Sequence, residues 1–219
     1  NYQRPEIFEV ADFMGDSYGL SKKAAETKAE TIVFCGVHFM AESADILTAD
    51  RVKVLLPDLA AGCSMADMAH IDQMEEAWEG LQAISPETTY VPITYVNSSA
   101  AIKAFCGGHG GACCTSSNAR QVLEWALDGE SPAHPTGKRK VIFLPDQHLG
   151  RNTAYDMGWP LESMVVFDPK QPDGGLTHEQ IRAATVILWK GHCSVHQLFT
   201  AQQIDDIRAA DPEYKVIVH

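Results

Sequence analysis

The chain has no CxxC pair, no G-x-G-x-x-G fingerprint after an apolar run, and no apolar stretch near the ~18 residues of a membrane span. The first absence removes the usual zinc-ribbon and thioredoxin-type signatures. The second argues against a dinucleotide-binding dehydrogenase; the nearest candidate, "CGGHGG" at 106–111, has the wrong glycine spacing. Positive charge is also scarce. Seventeen Lys and Arg face 29 Asp and Glu, a formal charge of −12, which disfavours both a non-specific nucleic-acid binder and a protein that docks on anionic lipid. Anionic substrates would therefore have to be attracted by local groups. No basic head followed by an apolar middle marks a signal peptide. The first residue is Asn1 rather than Met, and the last five are the apolar "KVIVH", so the chain reads as a fragment.

What is present suits a soluble α/β protein. The 219 residues allow one large core or two to three compact units. Hydrophobic residues make up 45% and charged residues 21%, an ordinary globular balance. The six cysteines, Cys35, Cys63, Cys106, Cys113, Cys114 and Cys193, show no disulfide-scaffold spacing. Free or metal-bound thiols in a reducing cytoplasm are expected. Cys35, Cys113 and Cys114, set in apolar runs, are expected to be small buried hydrophobes.

Continuous Val/Ile/Leu runs alternate with helical patterns. "TIVFCGV" (31–37), "RVKVLLPDL" (51–59), "TYVPITYV" (89–96), "ACC" (112–114), "KVIFLPD" (140–146), "TVILWKG" (185–191) and "KVIVH" (215–219) read as strands. Between them "HFMAESADIL", "MADMAHIDQMEEAWEGL", "SSAAIKAF", "SNARQVLEWAL" and "AQQIDDIRAA" read as helices. The pattern predicts short parallel sheets covered on both faces. A repeat is visible too: "VLLPDLAAG" (54–62) returns as "IFLPDQHLG" (142–150), with flanking elements in matching order. The resulting expectation is a first α/β unit over 1–86, a second over 87–183, and the start of a third over 184–219. "CGGHGG", "DGESPAHPTGK" (128–138) and "DPKQPDGG" (168–175) read as surface loops. For "CGGHGG" a metal-binding tract is the alternative, against which its Cys and His lack further partners.

In open α/β units ligands bind beyond the carboxyl ends of the strands. That rule collects the turns at 1–3, 15–17, 37–40, 59–64, 95–99, 115–118, 192–196 and 219. Ser, Thr and Asn at such turns cap the next helix, whose N-terminus favours an anion. Two turns, "YVNSS" and "TSSN", could thus hold a carboxylate or phosphate without Arg or Lys; plain capping is the simpler alternative. Cys63 in "AAGCSMAD" and Cys193 in "KGHCSVHQ" each directly precede a helical pattern, a setting that suits a thiolate ligand. Two cysteines so far apart specify no metal by themselves.

Taken together, "NYQRPEI", "GDSYGLS", "IVFCGVHFMAESADIL", "VLLPDLAAGCSMAD", "TYVNSSAAIKAF", "CCTSSNA", "FLPDQHLGRNTA", "LWKGHCSVHQLFT" and "VIVH" closely resemble the quinolinate synthase (NadA) family of de novo NAD biosynthesis, over the whole chain and in family order. The resemblance implies an α/β fold built as a pseudo-threefold repeat of three-layer αβα units, the third incomplete here. It implies a transferase that condenses iminosuccinate with dihydroxyacetone phosphate to quinolinate, phosphate and water. It also implies a [4Fe-4S] cluster held by three cysteines, of which Cys63 and Cys193 match two and the third lies beyond residue 219. Three thiolates leave one iron open as a Lewis acid.

Residue by residue, Tyr2 resembles the tyrosine that helps isomerise the triose, and Ser17 a substrate-carboxylate contact. Tyr95, Val96 and Asn97 resemble the substrate-binding strand end, and Ser116, beside Thr115, a hydroxyl contact. His196 resembles the histidine near cluster and phosphate, and His219 a proton-transfer histidine. The family's His before "NYQ" and the Pro-Glu after His219 are missing, so this chain alone is expected to be inactive. L-aspartate oxidase is the partner implied as the supplier of iminosuccinate. From another class, the competing reading is a module that binds a dicarboxylate or phosphate without chemistry.

Overall fold

A computed structural model of the chain describes residues 3–218; Tyr2 and His219 lie outside the described residues. The short helix α1 (Pro5–Phe8) and helix α2 (Ser17–Glu26) precede strand β1 (Thr31–Val33). Helix α3 (His38–Thr48) then leads to β2 (Lys53–Leu55), which pairs in parallel with β1. Helices α2 and α3 cover one face of this two-stranded sheet, with Ala24, Ala41 and Ala44 packed against Ile32 and Val54. The other face carries Val33 and Leu55, 61% and 40% exposed. Cover on both faces was expected, and among the described residues this first sheet has it on one face only.

Helix α4 (Ile71–Ile84) follows, then β3 (Thr89–Tyr95), α5 (Ala100–Gly108), β4 (Ala112–Cys114), α6 (Ala119–Ala126), β5 (Arg139–Leu144), α7 (Gln147–Asp156), β6 (Met164–Phe167), α8 (His178–Ala183), β7 (Val186–Trp189) and α9 (Ala201–Ala210). Strands β3 to β7 form one parallel sheet in the order β4-β3-β5-β7-β6. The period of two along the strands sorts their side chains. Tyr90, Ile142, Leu144, Ile187 and Trp189 face α4, α5 and α8. Val91, Ile93, Val141, Phe143, Val186 and Leu188 face α6 and α7. Helix α4 meets the sheet with Met74, Ala77, Trp78, Leu81 and Ile84, the i, i+3, i+4, i+7 stripe of an amphipathic helix. The α/β class with short parallel sheets is therefore what the chain builds, and the five-stranded sheet has helices on both faces.

Several local details differ from the sequence reading. Strand β6 was not anticipated; it is the four-residue edge beside β7. Strand β7 hydrogen-bonds between β5 and β6. Residues 215–218 form no strand, having no neighbour among the described residues to take up their backbone groups. "CGGHGG" is no loose loop. Helix α5 runs through Gly108, Cys106 is buried, and the His109 ring stacks on Phe105 at 4.0 Å. Gly111 then passes so close to β3 that a Cβ would stand 1.8 Å from the Pro92 carbonyl oxygen. Cys114 is buried as expected, but Cys35 and Cys113 are exposed. Cys35 lies past the end of β1, and Cys113 sits on β4, the edge strand.

Candidate active site

The sheet order reverses between β3 and β5: the chain leaves β3 toward β4 on one side and leaves β5 toward β6 on the other. A crevice opens at such a switch point. Its lips are the turn after β3, Val96–Ser99, and the turn after β5, where Asp146 accepts from the backbone N–H groups of His148 and Leu149 at 2.7 and 2.9 Å. Asp58, the repeat's counterpart of Asp146, likewise accepts from the N–H of Ala60 at 2.9 Å. The duplicated Leu-Pro-Asp is thus one turn chemistry used twice: a carboxylate that collects the N–H groups after a strand.

The polar turns after β3 and β4 are neighbours. Tyr95 is in register with Cys114 across β3 and β4, and the N–H of Val96 donates to the Cys114 carbonyl at 2.8 Å. In the first turn most polar groups are already committed. Ser99 caps α5, accepting from the N–H of Ile102 at 3.4 Å, and Glu42 of α3 accepts from the N–H of Ala100 at 2.9 Å. The buried hydroxyl of Ser98 donates to the Tyr95 carbonyl at 2.9 Å. Asn97 remains half-buried beside them. In the second turn Asn118 accepts from the N–H and hydroxyl of Thr115, at 2.7 and 3.1 Å. Ser116 is left exposed at its tip.

The turn that carries Cys63, between β2 and α4, docks on the turn after β7. The Ser64 and Ser194 hydroxyls meet at 3.1 Å. The indole N–H of Trp189 donates to the Met68 carbonyl at 2.7 Å, and the N–H of His192 points to the Met68 sulfur at 3.3 Å. Cys63 and Cys193 are each one residue from the serine pair, half-buried, and free of any disulfide. Their turns therefore adjoin although the sequence spaces them far apart. A cavity of about 260 Å³ beside Cys63 is lined by His38, Glu42, Asp67 and Ser99 among others.

Tyr95 reports the electrostatics of this region. Burial raises its phenol above the ordinary value, and the acidic groups of Cys114, Asp146, Cys63 and Cys193 raise it further. One side chain thus lies in the field of both thiols and of the β5 turn. Lys103 is lowered by burial, against the opposing pull of Cys113 and Glu42. Burial pushes the Cys114 thiol up to about 12, which fits a packed side chain and not a ligand.

Two further sequence candidates sit on other elements. Ser17 opens α2, behind an Asp16 cap that accepts from the N–H of Gly19 at 2.7 Å. His196 heads a one-turn 3-10 helix, exposed; its neighbour Gln197 contacts the His148 ring at 3.1 Å. Among the described residues no group of three or more His, Cys, Asp or Glu side chains is arranged to hold a metal ion. Sequence reasoning passed over Asp146, Glu42 and Lys103. The recurrence of Asp58 as Asp146 was a usable signal for the first; nothing local distinguished the other two.

A family model described as "Quinolinate synthetase A protein" matches residues 1–219. The chain is 58% identical over 220 residues to the quinolinate synthase of Acidobacterium capsulatum, covering 100% of this chain and 57% of that protein. It is 57% identical over 221 residues to the quinolinate synthase of a Nocardioides species, at 100% and 56% coverage. For the quinolinate synthase of Halalkalibacterium halodurans the identity is 56% over 220 residues, at 100% and 57%. The chain thus spans a little over half the length of these curated relatives.

Proposed function

Because the chain belongs to the quinolinate synthetase A family, we propose that the protein carrying it is a quinolinate synthase, a transferase that condenses iminosuccinate with dihydroxyacetone phosphate to quinolinate, phosphate and water in de novo NAD biosynthesis. The observation that carries this reading is the Ser64–Ser194 contact, which sets Cys63 and Cys193 in adjoining turns. The donor set fits a [4Fe-4S] cluster: two uncommitted, half-buried thiols at a strand-end crevice, to be completed by a cysteine beyond residue 219. When bound, such a cluster supplies a Lewis-acidic iron with an open position.

The chain's own residues do the rest. Tyr95, Val96 and Asn97 bind and orient the condensing substrates at the β3 end. The raised Tyr95 phenol stays protonated at neutral pH, so it donates a hydrogen bond. Ser17 and Ser116 contact substrate oxygens. His196 serves the phosphate side, His219 moves protons, and Tyr2 assists triose isomerisation; Tyr2 and His219 lie outside the described residues. L-aspartate oxidase supplies iminosuccinate, in the cytoplasm. Among the described residues no helix is long and apolar enough to cross a membrane.

The test is quinolinate formation by the complete protein, purified without oxygen, beside Cys63→Ser and Cys193→Ser. Wild type should be brown and active; each variant should lose the visible absorbance and the product. A colourless wild type that binds a dicarboxylate without turnover would replace this reading with a binding module. The 219-residue chain by itself should form no quinolinate; turnover equal to the complete protein would refute the need for a third ligand.

A further inference from the structure

The turn between β3 and α5 is held from outside its own unit. Glu42, on α3 of the first unit, is one-quarter exposed and passes one oxygen, Oε2, to the N–H of Ala100. Its other oxygen lies 3.4 Å from Nδ1 of His38. In the same turn, Lys103 donates from Nζ to the Ser98 carbonyl at 2.5 Å and lies 5.3 Å over the Phe39 ring, also on α3. The segment Ser98–Ala100 is therefore gripped at an N–H and at a C=O, and both grips involve α3. The first N–H of α5, an orphan donor of every helix, is spent on this contact and not on a ligand. Glu42 and Ser99 also line the cavity beside Cys63, so the contact ties the β3 turn to the thiol-bearing side of the crevice.

We propose that Glu42 is a positioning residue. By bridging from α3 to the Ala100 N–H it fixes where the β3 end, with Tyr95 and Asn97, stands relative to the Cys63 turn. The inference rests on the reading of Asn97 as a substrate contact. A carboxylate suits the task because one oxygen takes the peptide N–H while the other faces the His38 ring. The distance from the reacting atoms does not make the residue neutral, since small misplacement of a binding turn is costly.

The experiment uses the complete protein with Glu42→Ala and Glu42→Gln. Gln keeps an oxygen for the Ala100 N–H and loses only the charge. Amide exchange over residues 96–103 should rise about tenfold in Glu42→Ala and stay within about threefold in Glu42→Gln, with strand β5 unchanged in both. KM for quinolinate formation should rise about tenfold in Glu42→Ala, with visible absorbance retained, and recover in Glu42→Gln. Adding Asn97→Ala to Glu42→Ala should cost less than the two single effects combined, because both act at one point. Unchanged exchange in Glu42→Ala, or equal damage by Ala and Gln, overturns the proposal. So does a lower melting temperature with unchanged KM, which would leave Glu42 a merely structural residue. If wild type makes no quinolinate, the functional reading fails on its own, and the exchange result still decides whether Glu42 anchors the turn.

Discussion

Replacing Trp189 with Phe tests the contact on which the crevice depends. Trp189 is 1% exposed, stacks on Phe167 at 5.7 Å, and donates its indole N–H to the Met68 carbonyl at 2.7 Å. Phe retains a ring but has no N–H, so a partly buried carbonyl loses its partner, at a cost of about 1–3 kcal/mol. The smaller ring also leaves a void in a packed layer, adding about 1 kcal/mol. The total is about 2–4 kcal/mol. With a urea dependence of about 2 kcal/mol per molar, the unfolding midpoint should fall by about 1–2 M. Far-UV circular dichroism during a urea titration reads this directly. Trp125→Phe is the control: Trp125 is 50% exposed, and its midpoint should move by no more than about 0.25 M. A Trp189→Phe shift as small as the control's would refute the argument that the indole ties the Met68 segment to β7.

Four other outcomes follow from the same geometry. In a Cys63→Ser, Cys193→Ser background, Ser64→Cys combined with Ser194→Cys should crosslink under mild oxidation, seen as a disulfide-linked peptide by mass spectrometry; no crosslink would separate the two turns. Cys106 and Cys114, both 1% exposed and pushed up to about 12, should resist iodoacetamide at about pH 8 in the folded protein while Cys35 reacts, and all should react in denaturant. Gly111→Ala should destabilise by at least about 3 kcal/mol, measured by thermal melting, because the methyl would overlap the Pro92 carbonyl. Lys190 holds the Asp168 carboxyl down to about 2 through a 2.7 Å contact, so that pair's stabilisation is present above the ordinary carboxylate range and is lost as pH falls toward 2. Between about pH 5 and 2 wild type should therefore lose more stability than Lys190→Ala, as read by urea titration at each pH.

Much of the site's chemistry was legible locally. A strand followed by Ser, Thr, Asn or Asp announces a turn whose side chains collect N–H groups, and Asp58, Asp146, Ser99 and Asn118 all do so. Cys63 and Cys193 stood out because each precedes a helical pattern in a glycine-containing turn. The four-residue β6 was not legible, since so short a run shows no period to count. The ordered packing of "CGGHGG" was hidden for another reason. Glycine reads as flexibility in sequence, yet at Gly111 it is the absence of a Cβ that admits close contact.

By itself, then, the sequence determined most of the strands and several of the helices, the parallel α/β class, and the residue types that gather at strand ends. Those follow from periodicity and backbone chemistry within a few residues. The tertiary structure alone decided that β7 enters between β5 and β6, that Ser64 meets Ser194, and that Glu42 reaches the Ala100 N–H. Strand order and the docking of one unit on another depend on how whole apolar faces pack together, and no local pattern encodes which distant turn will lie opposite.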